Sequence, residues 1–115
     1  MTQNETLLLG IDIGTTGTKC AIYDLKGELV AHAYQEYSMI HPQPSWTERD
    51  PHRWWNAVQT NLRDCFEQQG IDSSRIASIG LSCTNAMTLV DEAGEPVYNA
   101  IGHHDKRADP QVAWL

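Results

Sequence analysis

The 115 residues hold 8 basic and 15 acidic side chains, a net charge of −7, and 41% of them are hydrophobic. That is apolar material for one packed domain, and the wrong charge balance for nucleic acid, whose backbone is bound by clustered Lys and Arg. No apolar run approaches a membrane span, and the opening MTQNET lacks the basic and apolar regions of a secretory signal.

Leu7 to Ile13 is nearly continuous apolar sequence and is predicted as a buried strand. A Gly-Thr-Thr-Gly turn follows, then a second strand from Thr18 to Asp24. Leu25-Lys26-Gly27 makes a short hairpin loop with a glycine available for positive φ, and Glu28 to Tyr37 is the third strand. Three strands on tight turns form an antiparallel meander.

The polar stretch HPQPSWTERDP reads as a loop. Asp50-Pro51 signals a helix start, since Asp caps exposed N–H groups and Pro at the first position loses nothing. Trp54, Trp55, Val58, Leu62, Cys65 and Phe66 recur at helical spacing, and Gly70 ends the helix. Ile76 to Cys83 reads as another buried strand, Met87 to Asp91 and Glu95 to Tyr98 as short strands around a turn. Asp109-Pro110 opens a helix that the chain does not complete, so the sequence is expected to be the front of something longer. Cys20, Cys65 and Cys83 read as small buried thiols of a reducing cytoplasm, and Met39 and Met87 as core filler.

One carboxylate stands out. Asp12 lies where the first strand stops, beside a turn rich in residues that expose backbone N–H groups. Converging amides can cradle phosphate. Thr15, Thr16 and Thr18 add hydroxyls, Lys19 can neutralise phosphate charge, and Asp12 can hold Mg2+ through waters. Neither G-x-x-x-x-G-K-[ST] nor G-x-G-x-x-G is present, and the turn enters a strand, so helix-dipole arguments do not apply. Spacing alone leaves two readings open: a phosphate cradle or a plain hairpin. An unpartnered carboxylate at a buried strand end is costly, which favours function.

The string GIDIGTTGTKCAIYDLKGELVA resembles the first phosphate motif of the FGGY carbohydrate kinases, within the actin/hexokinase/heat-shock ATPase superfamily. HPQPSWTERDPHRWWNAV, IASIGLSCTNAMTLVDEAGEPV and AIGHHDKRAD are similar to further blocks of that family, in family order. The resemblance implies an α/β fold, a ribonuclease H-like (actin-like ATPase) domain in which the meander is followed by a helix and further strands. On this reading residues 1–115 are an incomplete domain, the N-terminal portion of the first of two lobes. It further implies transfer of the γ-phosphoryl of ATP to a sugar, ketose or polyol, a xylulokinase-like enzyme being the leading subclass. A sugar-acid kinase of the gluconokinase type is the alternative within the enzymes, and a nucleotide-gated clamp of the actin type the alternative outside them.

Carried over by position, the resemblance makes Asp12 the Mg2+-linked carboxylate and Gly14, Thr15, Thr16, Gly17, Thr18 and Lys19 the phosphate-facing segment. It directs the CTNAM loop at the sugar, with Asn85 the first candidate and Thr84 the second, and adds His103 and Asp105. Asp105 has a competing reading as half of a structural bridge to Arg107, which shares its face on an extended stretch. CTNAM carries neither the Gln-Arg-Glu of glycerol kinases nor the Gln-Met-His of xylulokinases. His103 stands where the family has Trp, and Ser45 where it has Gly. The general base and the adenosine segments of such enzymes lie beyond this chain, so the 115 residues alone are expected to be inactive. A cytoplasmic protein without nucleic-acid or membrane partners is expected, a homodimer being compatible with the family.

Overall fold

The computed structural model describes residues 5–115. In chain order the elements are β1 (Leu7–Ile13), β2 (Gly17–Asp24), β3 (Leu29–Glu36), β4 (Glu48–Arg49), α1 (Pro51–Gln69), a 3-10 turn (Ser73–Arg75), β5 (Ile76–Cys83), β6 (Ala86–Met87), β7 (Ala100–Gly102) and α2 (Asp109–Trp114). They divide into two compact units, one running to Tyr37 and resuming over Trp54–Thr84, the other made of Ser38–Arg53 and Asn85–Leu115.

The first unit is a four-stranded sheet of order β3-β2-β1-β5. β1, β2 and β3 form the antiparallel meander, and β5 lies parallel to β1. Gly27, at φ 85°, turns the β2–β3 hairpin, and the Asp24 carboxylate accepts from the amides of Lys26 and Glu28 across it. One face of the sheet is the core: Leu7, Leu9, Cys20, Ile22 and Ala31 pack with Cys65 of α1 and with Ile71. Fully burying a Leu or Ile side chain contributes about 2 kcal/mol, so this face carries most of the unit's stabilisation.

α1 begins as its sequence dictates, with the Asp50 carboxylate accepting from the His52 amide at 2.9 Å. It ends at Gly70, φ 57°, where the Ile71 amide donates to the Phe66 carbonyl at 2.8 Å in a left-handed cap. The buried residues of the helix are Ala57, Val58, Asn61 and Cys65. Trp55, placed by its spacing on the apolar stripe, is instead 62% exposed. Asn61 takes its place inward, donating from Nδ2 to the Thr18 carbonyl at 2.8 Å.

Three further expectations need correction. β1 is half-buried, not fully buried: Leu7 and Leu9 face the core while Leu8 and Asp12 face out, as a period of two requires. β5 is the sheet's edge strand, and its Ile79 and Leu81 are 62% and 68% exposed, so its apolar run does not report burial here. Cys83, at the end of that edge, and Met87 are exposed with it, whereas Cys20 and Cys65 are buried. Burial pushes the Cys20 thiol up to about 11, which makes it an unreactive packing residue.

The second unit is a small sheet of order β4-β7-β6, antiparallel throughout. A hairpin over 89–97 sits beside it, closed by the Val90–Pro96 bridge and turning at Gly94, φ 82°. The segments expected as strands at 87–91 and 95–98 are thus the arms of this hairpin, with regular pairing confined to Ala86–Met87. No helix among the described residues is long and apolar enough to cross a membrane.

Candidate active site

Both β1 and β5 run in the same direction, so their carboxyl ends lie side by side, with Asp12 opposite Ser82 and Ile13 opposite Cys83. The Thr84 amide extends the pairing by donating to the Ile13 carbonyl at 2.7 Å. The 14–17 turn and the start of the CTNAM loop therefore leave the sheet at one end, the end where α/β sheets take their ligands. There the hydroxyls of Thr15 and Thr84 are 3.2 Å apart.

Asp12 is exposed, so the desolvation argument that its strand position suggested does not hold. Lys19 is its cross-strand partner on β2. The two line an open cleft of about 430 Å³, together with the small residues Gly10, Ala21, Gly80 and Ser82 and the larger Tyr23 and Leu81. The ammonium of Lys19 lies 5.9 Å from the Tyr34 ring centroid, within cation–π range.

Among the six turn candidates the structure separates frame from surface. The Gly14 amide donates to the Gly17 carbonyl at 2.9 Å, closing the turn on itself. Gly17 and Thr18 are buried, and the Thr18 hydroxyl lies 3.3 Å from the Tyr37 phenol. Thr16 and Lys19 are exposed and Thr15 half-buried. The glycines are needed for room. A Cβ on Gly14 would sit 2.8 Å from the Gly17 carbonyl oxygen, and one on Gly17 would strike the Tyr34 ring.

The other candidates lie in the second unit. Pairing of Ala86 with Gly102 brings Asn85 and His103 together: the Asn85 carbonyl accepts from the His103 amide at 3.2 Å, and the His103 Nδ1 is 3.2 Å from the same oxygen. Both residues are exposed. The His103 and His104 rings pack against each other at 3.9 Å between centroids. Asp105 forms the bridge to Arg107 that its position allowed. Its carboxylate accepts from Arg107 Nε and Nη2 at 2.9 and 2.8 Å and from the Thr47 amide at 2.7 Å. Those bonds, the Arg107 guanidinium first, hold it well below the usual carboxylate range.

Residues 7–115 match the FGGY family of carbohydrate kinases, N-terminal domain. The chain belongs to this family. It is 34% identical over 115 residues to a glycerol kinase of Haloferax volcanii, covering 98% of this chain and 22% of that protein. A glycerol kinase of Roseiflexus sp. is 40% identical over 101 residues, 86% of this chain and 20% of its own length. Among solved structures, a xylulose-type kinase from Brucella ovis superposes with a TM-score of 0.88 at 31% identity, covering 95% of this chain and 23% of that one. Gluconate kinase from Lactobacillus acidophilus gives 0.84, also at 31%, over 95% and 22%. The fold is thus that of the FGGY kinases, and the chain spans about a fifth of the length of the relatives it matches.

Two departures from the FGGY pattern acquire a structural meaning. Ser45 has φ 69°, the one non-glycine residue with positive φ among those described, so the family glycine answers to backbone conformation there. His103, where the resemblance leads one to expect Trp, puts a ring nitrogen beside the Asn85 carbonyl oxygen.

Three residues that organise the two units were missed: Tyr37, Asn61 and Glu48. Tyr37 ends β3 and reaches back to the turn; its hydroxyl donates to the Gly14 carbonyl at 2.6 Å. Glu48 is buried and bonded to Tyr98, Asn99 and Arg107. The one signal available was for Asn61, a polar residue among the apolar positions of its helix; Glu48 stands in a polar stretch that gives none.

Proposed function

We propose that this chain is the N-terminal portion of an ATP-dependent carbohydrate kinase that transfers the γ-phosphoryl of ATP to a hydroxyl of a ketose. The observation that carries the reading is the convergence at the carboxyl ends of β1 and β5. An exposed acid, a cation and a glycine-threonine turn stand there beside the start of a polar loop.

Phosphoryl transfer asks the protein chiefly for positioning and charge neutralisation. Thr15, Thr16 and the turn's main chain would orient the phosphates, and Lys19 would offset their charge. Asp12 would hold Mg2+, through waters, because an exposed carboxylate is the hard oxygen donor this ion takes; when bound, the ion supplies neutralisation of phosphate charge. Asn85 and His103 would meet acceptor hydroxyls, with Thr84 linking that loop to the turn. Side chains that hydrogen-bond particular hydroxyls tell one sugar from another, so these residues would set specificity. The reaction needs a base and an adenosine site from beyond these residues, so the chain alone would not turn over ATP. The working enzyme is proposed to act in the cytoplasm.

A ketose acceptor is favoured by similarity to the xylulose-type kinase, while CTNAM, which lacks the glycerol-kinase and the xylulokinase triplets alike, speaks for neither. Gluconate is the second reading, supported by the similarity to gluconate kinase. Turnover of ATP by the intact polypeptide against ketoses, polyols and aldonic acids tests both. Stimulation by D-xylulose or another ketose supports the first reading, and stimulation confined to aldonic acids the second. ATP hydrolysis indifferent to every acceptor would point to a clamp of the actin type and overturn the kinase reading.

A further inference from the structure

Two carbonyls of the 14–17 turn are taken from one side by a single residue. The Tyr37 hydroxyl donates to the Gly14 carbonyl at 2.6 Å, short for an O–H···O bond. The Tyr37 amide donates to the Thr16 carbonyl at 3.1 Å. The Tyr34 ring, on the other face of the sheet beside Lys19, covers Gly17. A Gly-Thr-Thr-Gly segment samples many conformations when nothing holds it, and any that turned a carbonyl oxygen toward an anion would repel it. Since the peptide group is planar and trans, fixing the Gly14 carbonyl toward Tyr37 aims the Thr15 amide the opposite way. Fixing the Thr16 carbonyl removes a second oxygen from the anion's side.

We propose that Tyr37 is a positioning residue for the nucleotide: it holds the turn in its phosphate-accepting shape before nucleotide arrives. The inference rests on the kinase reading above and concerns the phosphates alone. It therefore separates ligands that carry phosphate from ligands that do not.

The test is binding of Mg-ADP and of adenosine to the intact polypeptide and to its Tyr37→Phe variant, by titration calorimetry or competition. The substitution removes one oxygen and keeps the ring, so the fold is retained and the Thr16 bond survives. Loss of the hydroxyl should raise the Kd for Mg-ADP about tenfold, or about 1.4 kcal/mol. Adenosine affinity should stay within about twofold, since the base and ribose do not meet the turn. In turnover, the KM for ATP should rise while the KM for the acceptor does not. An unchanged Kd for Mg-ADP overturns the inference, as does an equal loss for Mg-ADP and adenosine. In both cases the kinase reading stands. Failure of the wild-type protein to bind Mg-ADP overturns the two together.

Discussion

Arg107 meets Glu48 at 3.0 Å, and the Glu48 side chain is 1% exposed. Its carboxylate also accepts from the Tyr98 hydroxyl at 2.6 Å and from Asn99 Nδ2 at 2.9 Å. The Arg107 guanidinium stacks on Trp46 at 3.9 Å and also donates from Nε and Nη2 to Asp105. Two other chain segments of the second unit, 98–99 and 105–107, therefore converge on one buried acid. Removing one partner of a buried ion pair costs about 3 to 5 kcal/mol, because the other is left uncompensated. Glu48→Ala should lower stability by about 3 kcal/mol, read from urea unfolding followed by tryptophan fluorescence. A loss below 1 kcal/mol would show that the network contributes little.

The same cluster sets an acid limit. Burial pushes Glu48 up, but the bonds from Tyr98, Asn99 and Arg107 outweigh it and hold the group below its ordinary value. Asp105 is held lower still by Arg107. A carboxylate whose folded pKa is depressed stabilises the fold above its unfolded value and loses that contribution as pH falls toward the folded one. Stability should be level near neutrality and decline below about pH 4. Glu48→Gln should flatten part of that decline. An acid profile identical to wild type would remove Glu48 from the explanation.

Ser45 carries backbone strain that glycine would not. The left-handed region costs an ordinary residue about 1 to 2 kcal/mol, offset by the roughly 0.5 to 1 kcal/mol of extra unfolded-chain entropy that glycine brings. Ser45→Gly should therefore stabilise by about 0.5 to 1 kcal/mol, seen as a raised urea midpoint. Destabilisation would mean that the serine makes a compensating contact.

The two turn glycines should differ in tolerance. An added methyl on Gly14 meets backbone, the Gly17 carbonyl oxygen at 2.8 Å, whereas one on Gly17 meets the Tyr34 ring, which is 46% exposed and can swing aside. Gly14→Ala in the intact polypeptide should weaken Mg-ATP binding more than Gly17→Ala does. The reverse order would show that the ring is fixed.

Asp12→Asn and Asn85→Ala should divide the proposed reaction between them. The first should lower turnover by about 100-fold or more, a loss of charge stabilisation of the kind that costs most in phosphoryl transfer, with acceptor affinity preserved. The second should raise the acceptor KM or change the acceptor ranking, with the KM for ATP preserved. Steady-state kinetics on the intact polypeptide measures both.

Much of the architecture is legible in the order of residues because punctuation is local. Gly27, Asp50-Pro51 and Gly70 stop or start elements through their own conformational limits, and each does so here. Burial is not local. Ile76 to Cys83 has the composition of an inner strand, yet nothing in its own residues tells an edge from a centre. The site divides in the same way. Asp12, the turn and Lys19 are neighbours in sequence and could be read as a group. Tyr37 is 23 residues from Gly14, and Glu48 is 59 from Arg107, so neither partnership has a sequence pattern to betray it. Ser45 lies between: its departure from a family glycine was visible, but only the φ of 69° shows why a glycine belongs there.

The outer margin of β5 has a consequence for handling the polypeptide. An open margin offers a row of main-chain donors and acceptors, and here it also shows Ile79 and Leu81 to water. Charges or prolines that blunt such margins elsewhere are missing from Ile76–Cys83. Stored at high concentration, these residues by themselves would recruit further copies strand upon strand, and light scattering would rise with time. A lysine at Ile79, pointing into solvent, should slow that growth.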